Sequence, residues 1–281
     1  MVKPDRPVLR YMGAKWRLAP WILRHLPWPH DAYVEPFGGS AAVLLRKDPS
    51  PLEVWNDLGE EVYNFFRVLR DEELCARLVR ALEFTPWHRL EFEECYAGLG
   101  GPEDDPVERA RRFFVVSWQG IRGAHTARPA WRYVKTGSNF AKVPPETWAL
   151  DHLYAASLRL RRVQFEHRDA FEVIRDYDGP DNLFYLDPPY LLGLRSRFGS
   201  QYEVDTATEE WHRELLDLLL GLKGMAVISG YPSRLYEEVL EARGWHRVET
   251  LARGNGLRRG DRVEALWLSP SAQARLGGGL F

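Results

Sequence analysis

The nine residues 182–190, NLFYLDPPY, decide how the rest of the chain is read. NLFYL has the pattern of a strand buried on both faces, and the two prolines of Asp187-Pro188-Pro189-Tyr190 close it with a restricted turn. Upstream, RVQFEHRD (162–169) reads as another short strand, entering the helical AFEVIRDY (170–177). Downstream come a helix over 209–222, the strand GMAVISGYPS (224–233) and a helix over 234–243. WHRVETLARG (245–254) and RVEALWLSP (262–270) then read as an antiparallel hairpin.

The same rhythm opens the chain. KWRLAPWILRHL (15–26) places Leu18, Trp21, Ile22 and Leu26 on one helical face. DAYVEPFGGSAAVLLRK (31–47) reads as strand, tight turn and Ala/Leu helix, PLEVWND (51–57) as a second strand and GEEVYNFFRVLRD (59–71) as a helix. Residues 71–162 interrupt this alternation with helical, aromatic and Arg-rich sequence that includes the loop GGPEDDP (100–106). The expected architecture is one α/β domain assembled from residues 1–70 and 163–281, with a mainly helical domain, 71–162, inserted into it. The tail after Ser269, carrying Gly277, Gly278 and Gly279, is expected to be loosely held.

A chain of 281 residues, 45% hydrophobic and 28% charged, suits a globular protein of one full domain and a smaller one. It has no apolar run near the roughly 18 residues of a membrane helix, and MVKPDRPVLR lacks the apolar core of a secretory signal. A cytoplasmic protein with no membrane association is expected. Cys75 and Cys95 stand apart, without a CxxC pair, and none of the eight histidines falls in a ligand spacing, so no metal is expected.

The net charge of -2 hides a segregation. Between Arg109 and Lys142 stand Arg111, Arg112, Arg122, Arg128, Arg132 and Lys135, with no Asp or Glu, interleaved with Phe113, Phe114, Trp118, Trp131, Tyr133 and Phe140. Cations kept apart from acids, with aromatics among them, are the footprint of a nucleic-acid partner; the bland alternative is a solvated basic face.

Ligands of open α/β sheets bind beyond the carboxyl ends of the strands, which is where Asp187 to Tyr190 falls. Its chemistry suits an aromatic amine, whose lone pair is delocalised into the ring. The Asp187 carboxylate and the Pro188 carbonyl are two acceptors for the amine hydrogens that favour a tetrahedral nitrogen, and Tyr190 can stack on an extruded base. In VEPFGGS (34–40) the glycines allow a ligand close to the backbone, and Asp57 follows Gly38 by 19 residues, near the spacing at which an acid meets a ribose. Asp57 would serve equally as a helix cap.

In order, RYMGAKWRL (10–18), VEPFGGS, VWNDL (54–58), HRDAF (167–171) and YLDPPY (185–190) resemble the Dam-type DNA adenine methyltransferase family, alpha motif order, over nearly the whole chain. The resemblance implies a Rossmann-like class I methyltransferase sheet with an antiparallel C-terminal strand, S-adenosylmethionine as cofactor and an inserted target-recognition domain. It implies Asp187, Pro188, Pro189 and Tyr190 as catalytic, and Tyr11, Lys15, Asp57, Asp169 and Phe171 at the cofactor. Glu35, Phe37 and Gly38 would line its methionine end, beside Asp187. The expected reaction is direct methyl transfer to adenine N6 of a flipped base in double-stranded DNA.

Arg122, Arg128, Arg132 and Lys135 are the expected DNA contacts, and a monomer, with a restriction endonuclease acting separately, the expected state. SNFAKVPPE (138–146) departs from the Asn-Val-Pro-Tyr-Gly-like stretch of the family, so its target sequence is not carried over. Cytosine-N4 methylation and a catalytically inactive DNA-binding relative are the alternatives; Asp before Pro-Pro-Tyr favours adenine within the family, and the filled motif positions oppose loss of activity.

Overall fold

A computed structural model describes residues 3–11, 13–101, 105–121, 130–133, 150–191, 208–253 and 261–278. The chain enters through a short helix, α1 (Ala19–Leu23), followed by β1 (Ala32–Glu35), β2 (Leu52–Asn56) and α2 (Glu60–Arg70). Four helices follow: α3 (Glu72–Glu83), α4 (Arg89–Ala97), α5 (Pro106–Gln119) and α6 (Asp151–Leu160). Alternation resumes with β3 (Val163–Glu166), α7 (Ala170–Asp176), β4 (Asn182–Leu186), α8 (Glu209–Leu220), β5 (Met225–Gly230) and α9 (Arg234–Val239). The hairpin β6 (His246–Arg253) and β7 (Asp261–Leu268) and a last helix, α10 (Pro270–Gly278), complete it.

The seven strands form one sheet in the order β3-β2-β1-β4-β5-β7-β6. The first five are parallel, β7 runs antiparallel to β5, and β6 antiparallel to β7. This is the expected α/β class with its antiparallel C-terminal strands. Strand order reverses between β1 and β4, so their carboxyl ends flank a crevice of the kind in which open sheets bind ligands.

Alternation along each strand feeds two cores. Tyr33, Trp55, Leu183, Tyr185, Met225 and Val227 face one layer, while Val34, Val54, Phe184, Leu186, Ala226 and Ile228 face the other. Because β1, β4 and β5 are covered on both sides, their sequences are nearly continuous apolar runs. The described helices of 71–162 share the first core: Phe113, Phe114, Leu153 and Leu160 are buried in one cluster with Trp55, Phe65 and Phe66.

Three local expectations are corrected. The N-terminal helix covers only Ala19–Leu23 of the periodic stretch. After β1 there is no Ala/Leu helix but a series of turns over 42–46. Gly39 and Ala41 both adopt positive φ (44° and 53°), so the backbone cannot enter a helix before residue 42, and Leu45 N–H to Ala41 O and Lys47 N–H to Val43 O are the helical bonds that form. The described part of the tail, up to residue 278, is docked as α10. Pro270 begins it, Ser269 Oγ accepts from the Ala272 N–H, Ala272 is fully buried, and Ser271 Oγ donates to the Gly224 carbonyl at 2.9 Å.

Candidate active site

The carboxyl ends of β1, β2, β4 and β5 bring together residues from both ends of the chain. Lys15 Nζ lies 2.9 Å from Asp187 Oδ2 and donates to the Gly13 carbonyl at 2.8 Å. Ser229, next to last in β5, donates from Oγ to Asp187 Oδ1 at 2.7 Å. Both carboxylate oxygens are thereby held, and Asp187 keeps 19% of its side chain exposed while Lys15 keeps 6%. Tyr190 stands under the Lys15 ammonium, 4.8 Å from it, meets Tyr231 edge-on and donates its hydroxyl to Glu264 Oε2 at 2.8 Å. Burial first, then the neighbouring Asp187 and Glu264, push the Tyr190 hydroxyl well above the usual tyrosine range, so it remains a donor.

Around the turn after β1 the same convergence appears. Tyr11 packs on Gly39, whose N–H donates to Asp57 Oδ2 at 2.8 Å. Asp57 Oδ1 takes the N–H of Gly59, the cap residue of α2, at 2.8 Å. Asp57 therefore joins the glycine turn to the start of a helix, and desolvation raises its pKa against the pull of these two bonds. Asn56 binds the Pro36 carbonyl, the Arg168 carbonyl and the Arg168 N–H, so the loops after β1, β2 and β3 are fixed to one another. Asp169 caps α7, with Oδ1 accepting from Phe171 and Glu172. Phe37 and Phe171 both pack edge-on against Trp211 of α8, at 5.8 and 5.4 Å.

Gly38 is required where it stands. Its N–H donates to the Asn56 carbonyl at 2.7 Å, and a Cβ would meet the Trp55 indole Nε1 at 2.1 Å and Cδ1 at 2.3 Å. Trp55 is fully buried and cannot retreat. Gly38→Ala is expected to lower stability by about 2 kcal/mol or more and to weaken cofactor binding, read by melting and titration calorimetry; an unchanged melting midpoint would show that the turn relaxes.

Glu35 sits sealed under the site, its Oε1 accepting from the Tyr33 hydroxyl at 2.6 Å. Loss of water pushes its carboxyl up to about 8, partly opposed by bonds from Tyr33 and the Leu44 N–H. Above the ordinary value of 4.5 the unfolded chain has lost a proton that the folded chain keeps, so stability falls as pH climbs from there towards 8. The loss is at most on the order of 5 kcal/mol. Glu35→Gln is expected to flatten the decline of melting temperature between mildly acidic and mildly alkaline pH; parallel profiles for both proteins would remove Glu35 as its source.

The described part of the basic segment is less exposed than its composition suggests. Arg109 pairs with Glu61, Arg111 with Glu91 and Glu108, and Arg112 with Glu108, at 2.5 to 3.1 Å, while Phe113, Phe114 and Trp118 are core. These side chains are therefore corrected from a nucleic-acid footprint to structural roles. Arg132 is half-buried, and its guanidinium donates to the Gly120 carbonyl at 3.3 Å. Arg122, Arg128, Lys135 and the stretch 138–146 lie outside the described residues. Backbone bonds from Ile121 to Ala130 and from Arg132 to Gln119 join the residues on either side of 122–129, where Arg89 covers Trp131 and Tyr133.

A mostly parallel sheet with an antiparallel final hairpin, polar groups converging at its switch point, is consistent with a Rossmann-like methyltransferase. The family model described as D12 class N6 adenine-specific DNA methyltransferase matches residues 11–252, and the chain belongs to that family. It is 25% identical over 268 residues to a Type II methyltransferase of Lactococcus lactis subsp. cremoris, covering 92% of each chain. It is 25% identical to the DNA adenine methylase of Escherichia coli (strain K12), over 79% of this chain and 78% of that one. A Type II methyltransferase of Methanocaldococcus jannaschii is 23% identical, over 71% and 74% of the two chains. The protein is thus an adenine-N6 DNA methyltransferase.

Proposed function

We propose that the chain transfers the methyl group of S-adenosylmethionine directly to N6 of an adenine flipped out of double-stranded DNA, at a specific sequence. The observation that carries this reading is the braced Asp187 carboxylate directly after β4, held by Lys15 and Ser229 and still partly exposed. The residues present suit the cofactor. Asp57 and Asp169 are carboxylates that accept from hydroxyl or amino groups, and Phe37 and Phe171 offer apolar faces. Tyr11 and Lys15 close the crevice from the N-terminal segment, and Glu35 supports its floor.

When bound, the cofactor supplies an electrophilic methyl on sulfonium sulfur. Asp187 and the Pro188 carbonyl would accept the two amino hydrogens of adenine and so turn the nitrogen lone pair out of conjugation and towards the donor; the proton given up by the methylated nitrogen would pass to water. Pro188 and Pro189 keep the acceptors rigid, and Tyr190 stacks on the extruded base.

The surface for the target belongs to 71–162. Arg122, Arg128, Arg132 and Lys135 are proposed to contact DNA, with the neighbouring Arg89, Trp131 and exposed Tyr133 supporting that placement. The enzyme acts as a monomer in the cytoplasm, alone or beside a restriction endonuclease that works separately.

The test is transfer of labelled methyl from S-adenosylmethionine to unmethylated duplex DNA, followed by nucleoside analysis and mapping of modified positions. N6-methyladenine at one short motif is expected; N4-methylcytosine, or binding without transfer, overturns the reading.

A further inference from the structure

Pro188 and Pro189 have no N–H, so the loop from Asp187 to Tyr190 is oriented through its carbonyls and side chains. The carbonyl of Pro189 is met by His212 Nε2 at 2.9 Å. His212 stands in the first turns of α8, almost fully buried, and its Nδ1 lies 3.0 Å from the Tyr236 hydroxyl of α9. A carbonyl can only accept, so Nε2 carries the hydrogen; in that tautomer Nδ1 accepts from Tyr236. Tyr236, His212 and Pro189 thus form a chain with one direction.

Its end point matters. The Pro189 carbonyl fixes the peptide plane leading into Tyr190, and the preceding peptide carries the Pro188 carbonyl assigned above to an amino hydrogen. Beside His212, Trp211 packs on Phe37 and Phe171, so one stretch of α8 touches both the catalytic loop and the aromatic side of the crevice. A tilt of this loop by a fraction of an ångström misaligns the acceptors, and misplacements near 1 Å cost about 10²-fold in rate.

We propose that His212 is a positioning residue for methyl transfer: its Nε2–H anchors the Pro189 carbonyl, and through it the loop that receives the adenine amino group, with Tyr236 selecting the tautomer. This rests on the reading of Asp187 to Tyr190 as the receiving loop.

The test compares His212→Phe, which keeps a ring and removes both nitrogens, with His212→Gln, whose amide N–H reaches the ε position, and with Tyr236→Phe. Single-turnover methylation, cofactor affinity and melting are measured on each, with Asp187→Ala alongside. For His212→Phe we expect a turnover about 10²-fold lower at nearly unchanged cofactor affinity, with His212→Gln recovering about tenfold of that loss and Tyr236→Phe losing a few-fold. The proposal is overturned if folded His212→Phe turns over like the parent, or if the Phe and Gln variants lose rate equally and only in step with melting. Should His212→Phe not fold, Tyr236→Phe decides, an unchanged rate overturning it. An active Asp187→Ala would instead bring down the underlying reading, whereas an inactive one beside a normal His212→Phe would bring down only this inference.

Discussion

Replacing Asp187 by Ala is expected to lower the single-turnover rate of adenine methylation by about 10³-fold or more, roughly 4 kcal/mol of transition-state stabilisation. The size follows from where the carboxylate acts. An amino nitrogen conjugated with a purine ring becomes nucleophilic as it turns tetrahedral, and an acceptor placed for that geometry binds the transition state better than the ground state. Lys15 and Ser229 hold the carboxylate in one orientation, so little reorganisation is needed when the base arrives. Asp187→Asn keeps the shape and one acceptor oxygen but gives up the charge facing Lys15, and should fall between parent and Ala. Cofactor affinity should change far less than rate, since Asp57, Asp169, Phe37 and Phe171 are untouched. Rapid-quench assays with titration calorimetry separate the two; a rate within tenfold of the parent would remove Asp187 as the acceptor.

Much of this site is legible in the sequence because its residues stand where strands end. NLFYL, AYVE and MAVISG announce buried parallel strands by continuous apolar runs, and Asp187 follows one of them directly. What the sequence hid is what closes the site across the sheet. Ser229 reads as a small residue late in an apolar strand until β5 is placed beside β4, where it meets Asp187. Glu264 looks like an ordinary charge in RVEALWL, and its pairing with Tyr190 depends on β7 turning antiparallel against β5. His212 and Trp211 sit on a helix whose period marks a buried face without saying which loop lies beneath it. The basic stretch misled in the opposite direction. The Glu partners of Arg109, Arg111 and Arg112 come from α2, from α4 and from the residue just before the stretch, so counting charges inside it missed the pairing of these three.

Arg159→Met is expected to have the largest effect on stability, about 3–5 kcal/mol and a melting midpoint lower by roughly 10 °C. Arg159 of α6 is fully buried and grips Glu53 of β2 with two bonds, Nη1 to Oε2 at 2.5 Å and Nη2 to Oε1 at 2.7 Å. Lys47 Nζ reaches the same carboxylate at 2.6 Å. Burial alone would raise the Glu53 pKa, but the Arg159 bonds and the Lys47 charge outweigh it and hold the carboxyl below its ordinary range. Without Arg159 the methionine fills the space but leaves a buried carboxylate with one cation, the costly half of a broken pair. A depressed carboxyl contributes stability above its unfolded pKa and loses it as pH falls through the folded one, so the gap between parent and variant should narrow in acid. Arg159 also donates to the Leu44 carbonyl at 3.0 Å, on the turn that carries Gly38 and Gly39. A helix of the 71–162 segment therefore holds that turn in place, and if the turn serves the cofactor as proposed, the variant should bind cofactor more weakly as well as melt earlier. A midpoint within 2 °C of the parent would show that Lys47 alone compensates Glu53 and that α6 is not needed to hold that turn.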